Sequence, residues 1–138
     1  MKYFLILFIS LLSINFYGQT KKDTANTAYY IFDYSSKGLN KLNSKDFKGA
    51  LELFTKATKL GANMYDRMGI CKMGLKDYAG AVQDFTKDIE LGETYQSYYN
   101  RGLAKKELGD KKSACEDWHK AFEMGYTEAE KKINSYCK

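Results

Sequence analysis

The sequence predicts an all-α protein built from stacked helical hairpins. One observation is an internal repeat, in which seven residues keep the same offsets through three copies. A second is the step between copies, which is 31 residues from Tyr34 to Tyr65 and 33 residues from Tyr65 to Tyr98. A third is the absence of proline, which would interrupt a helix. Because a period near 30 is typical of stacked supersecondary units, each copy is predicted to be one hairpin.

The repeated positions combine aromatic, small, acidic and basic residues. They are Tyr34, Gly38, Asp46, Ala50, Phe54, Lys56 and Gly61, then Tyr65, Gly69, Asp77, Ala81, Phe85, Lys87 and Gly92, then Tyr98, Gly102, Asp110, Ala114, Trp118, Lys120 and Gly125. Each aspartate is predicted to cap the second helix of its pair, and the last glycine of each copy suits the left-handed end of a helix. The small residue of each first helix is predicted to face the alanine of the second, with Phe54, Phe85 and Trp118 filling the space towards the next copy.

These start and stop signals divide the chain into seven predicted helices. They cover residues 28–43, 46–60, 63–75, 78–91, 94–108, 111–124 and 127–136. Thr127 and Glu130 have the spacing of a capping box for the last helix. The amphipathic second helices are expected to bury their apolar faces in the stack.

The first residues have a different composition from the repeats. Lys2 is followed by an almost wholly apolar run over residues 3–14, and the chain turns polar after Gly18. This layout predicts a signal peptide over residues 1–18, since an apolar run of about 12 residues is short for a bilayer span. The alternative is an uncleaved N-terminal anchor. Residues 19–27 are predicted to be a flexible leader, and the mature chain is expected to contain no membrane span.

The charge of the chain does not indicate a nucleic-acid partner. The 22 basic and 17 acidic residues among 138 give a net charge of +5. The lysines alternate with acidic residues along the chain, as on a solvated helical surface, and no basic block or nucleic-acid-binding motif accompanies the charge.

The repeated residues resemble the tetratricopeptide repeat (TPR) family, most clearly in residues 46–57 and 102–110. The resemblance covers residues 31–124 and implies a domain over 28–138 with repeats at about 31–61, 62–94 and 95–125. It also implies a right-handed superhelix closed by a capping helix over 126–137. Two features depart from the family pattern: glycines replace the proline near each repeat end, and Asp88 stands where the family prefers alanine.

The resemblance implies a concave groove lined by the first helix of each pair. Carried over by offset, the candidate partner-binding residues are Leu39, Asn63, Arg67, Ile70, Tyr99, Asn100, Leu103 and Lys106. Leu39, Ile70 and Leu103 share one offset and are expected to form an apolar stripe among polar side chains. The expected function is that of an exported adaptor or assembly factor, periplasmic or secreted from a bacterial cell, which binds a protein or peptide. The alternatives are a self-associating module of the cell envelope and a solvated face that holds no ligand.

The three cysteines would meet an oxidising compartment after export. Cys115 lies ten residues before Gly125 and Cys137 lies twelve after it, so antiparallel helices would bring the two thiols together. This predicts a Cys115–Cys137 disulfide, with two free buried thiols as the alternative. Cys71 is predicted to be a small core residue.

No group of residues indicates catalysis. His119 is the single histidine, no set of residues has zinc spacing, and no nucleophile has a plausible base. We therefore expect no enzymatic activity, no metal and no cofactor.

Overall fold

The computed structural model describes the backbone of residues 2–92 and 94–138, and the side chains of residues 23–92 and 94–138. This part of the chain is all-helical and contains no strand, as the sequence predicts. Its helices are α1 (Lys2–Asn43), α2 (Phe47–Lys59), α3 (Tyr65–Gly74), α4 (Tyr78–Leu91), α5 (Tyr95–Glu107), α6 (Lys111–Glu123) and α7 (Ala129–Tyr136). Three hairpins, α1–α2, α3–α4 and α5–α6, stack in chain order, and α7 packs against α6.

The N-terminal helix extends further than the sequence analysis predicts. Residues 23–27, which fall in the predicted flexible leader, belong to α1. No proline or glycine interrupts the chain between residues 19 and 37, so nothing local stops the helix. The predicted signal peptide, residues 1–18, lies outside the residues whose side chains the structure describes.

The predicted aspartate caps begin the second helix of each hairpin. Each carboxylate accepts a hydrogen bond from the backbone N–H three residues later, which satisfies a donor that has no partner inside the helix. The pairs are Asp46 with Gly49 at 3.0 Å, Asp77 with Gly80 at 2.9 Å and Asp110 with Ser113 at 3.1 Å.

The turn inside each hairpin places one residue in the left-handed region. Lys45 has φ 61°, Lys76 has φ 62° and Gly109 has φ 82°, and the three residues occupy the same offset in their copies. Only the third copy uses glycine, the residue for which this conformation carries no steric cost.

The glycines that follow the hairpins differ from one another. Gly61 and Gly125 have φ values of 100° and 93°, as predicted. The prediction for Gly92 is wrong, because its φ of 177° is extended backbone. The physical reason is the longer step to the third copy: α5 begins three residues before Tyr98 and is capped by Thr94, whereas α3 begins at Tyr65 itself.

The capping box predicted for the last helix is also wrong. Helix α7 begins at Ala129, Glu128 occupies the cap position and no side chain caps the first turn. The Thr127 hydroxyl contacts the Glu128 carboxylate at 3.5 Å instead of a backbone N–H.

The aromatic residues pack against the glycines of their own hairpins and also reach the next copy, as predicted, since Phe54 clusters with Cys71 and Phe85 clusters with Ala104. A Cβ added at Gly69 would lie 2.7 Å from Cε1 of Phe85, and a Cβ at Gly38 would lie 2.6 Å from Cε1 of Phe54. In the third copy a Cβ at Gly102 would lie 2.6 Å from Nε1 of Trp118. Each ring therefore occupies the space that the missing glycine side chain leaves, and all three rings are fully buried.

Buried ion pairs join the two helices of the second and third hairpins. Lys72 on α3 contacts Asp84 on α4 at 2.7 Å, and Lys105 on α5 contacts Asp117 on α6 at 2.8 Å, at the same offsets. Arg101 also donates two hydrogen bonds to Asp117, and these hydrogen bonds raise the pKa of the guanidinium. Burial raises the pKa of Asp84 although Lys72 opposes the shift.

A disulfide holds the last helix against the array. Cys115 on α6 is bonded to Cys137, with the Sγ atoms 2.09 Å apart and the Cα atoms 5.7 Å apart. Ala129, the first residue of α7, is fully buried, and Ile133 and Tyr136 of the same helix pack on the same cluster as Trp118. Helix α7 thus covers the apolar end of the third hairpin.

Candidate functional site

A polar depression of the described surface lies between the N-terminal halves of α3 and α5. It has a volume of about 400 Å³ and is open to solvent on one side. The lining residues are Asn63, Asp66, Arg67, Ile70, Asp88, Thr94, Gln96 and Asn100. We call this depression the α3–α5 cavity. Its residues come from the first helices of the second and third hairpins, the turns before them, and one residue of α4.

Four of the eight predicted groove residues lie together in this cavity: Asn63, Arg67, Ile70 and Asn100. Their common location follows from the repeat, because equal offsets on successive first helices place side chains next to one another. Ile70 is only half-buried and also packs against the core around Phe85, so the apolar stripe is partly used by the core itself.

The other four predicted residues lie outside the cavity. Leu39 is exposed on α1. Tyr99 packs edge-on against Tyr126, and burial raises the pKa of its hydroxyl. Leu103 packs against the cluster around Trp118, and Lys106 contacts Glu107 at 3.1 Å. Tyr99 and Leu103 therefore pack against Tyr126 and the cluster around Trp118, while the cavity includes Ile70 but neither Leu39 nor Leu103. A continuous apolar stripe from Leu39 to Leu103 stays a prediction.

Sequence reasoning missed Asp88 and Thr94. Both belong to a hydrogen-bonded chain: Thr94 Oγ1 donates to Ser97 Oγ at 3.0 Å, and Ser97 Oγ donates to Asp88 Oδ2. Asn63 Nδ2 donates to the other oxygen of Asp88 at 3.0 Å. The sequence does contain a signal for Asp88, because the first and third copies have an alanine at the same offset.

Two amides of the cavity are available for a ligand. The side-chain amides of Gln96 and Asn100 have no hydrogen-bond partner among the described residues. Arg67 is exposed, and its Nε lies 3.5 Å from Asp66 Oδ2, which is a loose contact. An extended peptide needs both donors and acceptors for its backbone, and amide side chains supply both from one group.

The described part of the chain contains no reactive thiol, no metal-binding group and no membrane-spanning helix. Cys71 is fully buried, and burial raises the pKa of its thiol to about 11, which keeps it protonated. The described residues contain no group of three or more histidine, cysteine, aspartate or glutamate side chains placed to hold a metal ion. Within the same residues, no helix has the length and apolar character needed to cross a membrane.

The family comparison matches the third hairpin. Residues 95–131, which span α5, α6 and the first residues of α7, match the family model described as tetratricopeptide repeat. None of the curated protein sequences compared with the chain matches it. The sequence evidence for the family thus comes from this segment.

Solved structures extend the likeness to about four fifths of the chain. The Arabidopsis OM64 TPR domain is similar with a TM-score of 0.72 and 23% identity, over 78% of this chain and 97% of that one. The second TPR domain of human RPAP3, in complex with the HSP70 peptide SGPTIEEVD, gives a TM-score of 0.74 and 20% identity, over 81% and 98%. The first TPR of Spaghetti (RPAP3), bound to the HSP90 peptide SRMEEVD, gives 0.74 and 18%, over 79% and 91%.

The described part of the molecule is thus an array of α-helical hairpins with a cavity between the first helices of its second and third hairpins. At these identities the likeness establishes the fold, which is that of TPR domains. The family model on residues 95–131 supports the assignment to the tetratricopeptide repeat family.

Proposed function

We propose that this protein is a non-catalytic interaction module that binds an extended segment of another protein in the α3–α5 cavity, and that it acts as an adaptor or assembly factor. The observation that carries the proposal is the cavity of about 400 Å³ in which the amides of Gln96 and Asn100, which have no hydrogen-bond partner among the described residues, lie beside the apolar side chain of Ile70. Amides that meet a peptide backbone and an apolar surface that meets a side chain are the elements of peptide recognition.

The structural neighbours support the class of ligand but not its sequence. Two of them hold peptides, SRMEEVD and SGPTIEEVD, which end in acidic residues. In this chain the cavity contains two carboxylates, Asp66 and Asp88, against one guanidinium, that of Arg67. Strongly acidic peptides would meet like charge there, so we carry over peptide binding and not the acidic motif.

We further propose that the protein works outside the cytoplasm, in the periplasm or after secretion. Two observations support this location. Residues 1–18 have the composition of a signal peptide, and the Cys115–Cys137 disulfide is the kind of bond that persists in oxidising compartments.

Self-association is a second candidate function, favoured by the uncovered edge of the first hairpin. Tyr30 and Tyr34 stack there with ring centroids 6.1 Å apart, and with Leu60 and two lysines they line an open depression of about 250 Å³. A second copy of the chain stacking on this edge would cover these side chains.

Site-specific photo-crosslinking in the native cell tests both candidates. A photoreactive residue at Gln96 reports on the cavity, one at Tyr30 reports on the first-hairpin edge, and one at His119, exposed on α6, serves as the control. Peptide binding predicts that Gln96 captures another protein while His119 does not, and self-association predicts a dimer from Tyr30. Equal capture from Gln96 and His119 would mean that the cavity is not the binding site.

Specificity of the captured complex can be tested with changes that leave the net charge unaltered. Asn100→Ala removes an amide of the cavity, and Glu116→Ala with Lys112→Ala is a charge-balanced control on α6. We expect Asn100→Ala to reduce capture at Gln96 and the control pair to leave it unchanged.

A further inference from the structure

The second hairpin carries a buried carboxylate at a position that the fold fills elsewhere with a methyl group. Ala57 in the first copy and Ala121 in the third copy share the offset of Asp88, and both alanines are fully buried. Asp88 is only 6% exposed. Burying a carboxylate where an alanine packs well costs free energy, so the packing of the array does not explain this residue.

The carboxylate of Asp88 has hydrogen bonds but no counter-ion in the described part of the chain. Its oxygens accept from the Asn63 amide and the Ser97 hydroxyl, which are both neutral. No lysine or arginine nitrogen among the described residues lies within 4 Å of it. The other buried carboxylates, those of Asp84 on α4 and Asp117 on α6, are each paired with a lysine. Buried carboxylates are ordinarily compensated by a positive group, and here the open side of Asp88 is the α3–α5 cavity.

The remaining charges of the cavity do not neutralise Asp88. The carboxylate of Asp66 is the second negative group of the lining. Arg67 is the one cation of the lining, and its nearest carboxylate is that of Asp66, at 3.5 Å. The lining therefore has a net charge of −1 from two carboxylates and one guanidinium, on a chain whose net charge is +5. A concave wall of low dielectric strengthens such a local field.

We infer that the α3–α5 cavity accepts a positively charged group, the side chain of a lysine or arginine in the bound segment. The cation would lie against Asp88 and Asp66, while the amides of Gln96 and Asn100 meet the backbone on either side of it. This inference rests on the proposed function, because it specifies the segment that the cavity takes. A charge-assisted hydrogen bond to a partly buried carboxylate is stronger than one between neutral groups, so the charge decides which segment binds.

The test uses three blocked tripeptides that differ in one side chain: acetyl-Ala-Arg-Ala-amide, the same peptide with citrulline, and the same peptide with glutamate. Citrulline keeps the shape and most of the donors of arginine but has no charge. Binding is followed by NMR through the side-chain NH₂ signals of Asn63 and Asn100. We expect the arginine peptide to bind about tenfold more tightly than the citrulline peptide, a ratio equivalent to about 1.4 kcal/mol, and the glutamate peptide to bind least.

Two variants of the chain separate recognition from a structural role. Asp88→Asn keeps a side chain of the same shape, and its amide oxygen can still accept from the Ser97 hydroxyl. In this variant the preference for arginine over citrulline should disappear. Arg67→Gln removes the competing cation and should increase the affinity for the arginine peptide, which a purely structural role would not predict. If Asp88→Asn alters the helical circular dichroism signal, Asp66→Asn replaces it and should weaken the preference.

The inference is overturned if the arginine and citrulline peptides shift the amide signals equally, or if neither peptide shifts them at millimolar concentration. It is also overturned if the glutamate peptide binds most tightly. The crosslinking at Gln96 decides the proposed function separately. Capture at Gln96 without a charge preference would remove the cationic ligand and leave the interaction module. Absence of capture at Gln96 would remove the module itself.

Discussion

The contact between Gly69 and Phe85 gives the sharpest test of how the hairpins are held together. Gly69 lies in the interior of α3, and the ring of Phe85 on α4 is fully buried against it. A Cβ at position 69 would lie 2.7, 2.8 and 2.9 Å from three atoms of that ring. These distances are well inside van der Waals contact, so Gly69→Ala forces the ring or the whole of α4 to move.

Two opposing effects determine the size of the change. Alanine is favoured over glycine in a helix interior by about 1 kcal/mol, which would stabilise the protein. Overpacking a close-packed core costs about 1–3 kcal/mol, because the neighbouring side chains have no free space to enter. We therefore expect Gly69→Ala to lower the free energy of unfolding by up to about 2 kcal/mol, although propensity alone predicts an increase.

A double-mutant cycle isolates the contact. Phe85→Leu alone should cost about 1–2 kcal/mol, since a smaller side chain leaves the site partly empty. In that background Gly69→Ala no longer meets the ring, so it should be neutral or stabilising by up to about 1 kcal/mol. The measurement is urea unfolding followed by circular dichroism at constant m-value. Gly92→Ala is the control, because position 92 is extended and has no heavy atom within 4 Å.

The reasoning would be refuted if Gly69→Ala raised the free energy of unfolding by the same amount with and without Phe85→Leu. That result would mean that the ring does not occupy the space beside the glycine. The packing assigned to all three hairpins would then be in doubt, because Gly38 and Gly102 have the same relation to Phe54 and Trp118.

The remaining predictions concern the cysteines. Replacing Cys115 and Cys137 together by serine should lower the free energy of unfolding, measured in denaturant, by about 3 kcal/mol, because the bond closes a loop of 22 residues. Reduction should add the mass of two hydrogens to the native chain, and an unchanged mass would contradict the bond. Cys71 should resist alkylation at pH 8 until the protein unfolds, since it is fully buried and its thiol has a pKa of about 11. Its burial also predicts that stability falls as the pH rises from 9 towards 11, because the unfolded thiol ionises first, and Cys71→Ala should remove this part of the pH dependence.

The fold could be predicted in detail wherever its cause is local. The aspartate caps depend on one side chain and the N–H three residues later, so Asp46, Asp77 and Asp110 could be assigned from spacing alone. Gly92 was assigned wrongly because the end of α4 depends on where α5 begins. The packing of Phe54 and Phe85 towards the next copy could be predicted, but their close contact with the glycines of their own hairpins could not, because a repeat indicates the face of a helix and not the depth at which a ring inserts.

The part of the site between the second and third copies could be predicted from the repeat. Equal offsets bring Asn63, Arg67, Ile70 and Asn100 to one cavity, because the hairpins stack regularly. The surroundings of Tyr99 and Leu103 could not be predicted in this way, because the loop before α7 and the cluster around Trp118 pack against them. The docking of α7 depends on long-range contacts and on the disulfide, which the offsets of the repeat do not encode.

Asp88 shows why a departure from the repeat carries more information than the repeat itself. In a stacked array the repeated residues report on packing that every hairpin needs, so they say little about any one ligand. Ala57 and Ala121 demonstrate that the fold accepts a methyl group at this offset, and the carboxylate of Asp88 is therefore not required by the packing. Binding sites often retain residues that stability alone would not select. Since this carboxylate is buried, lacks a counter-ion among the described residues and lines the α3–α5 cavity, the specificity of the cavity is best sought at Asp88.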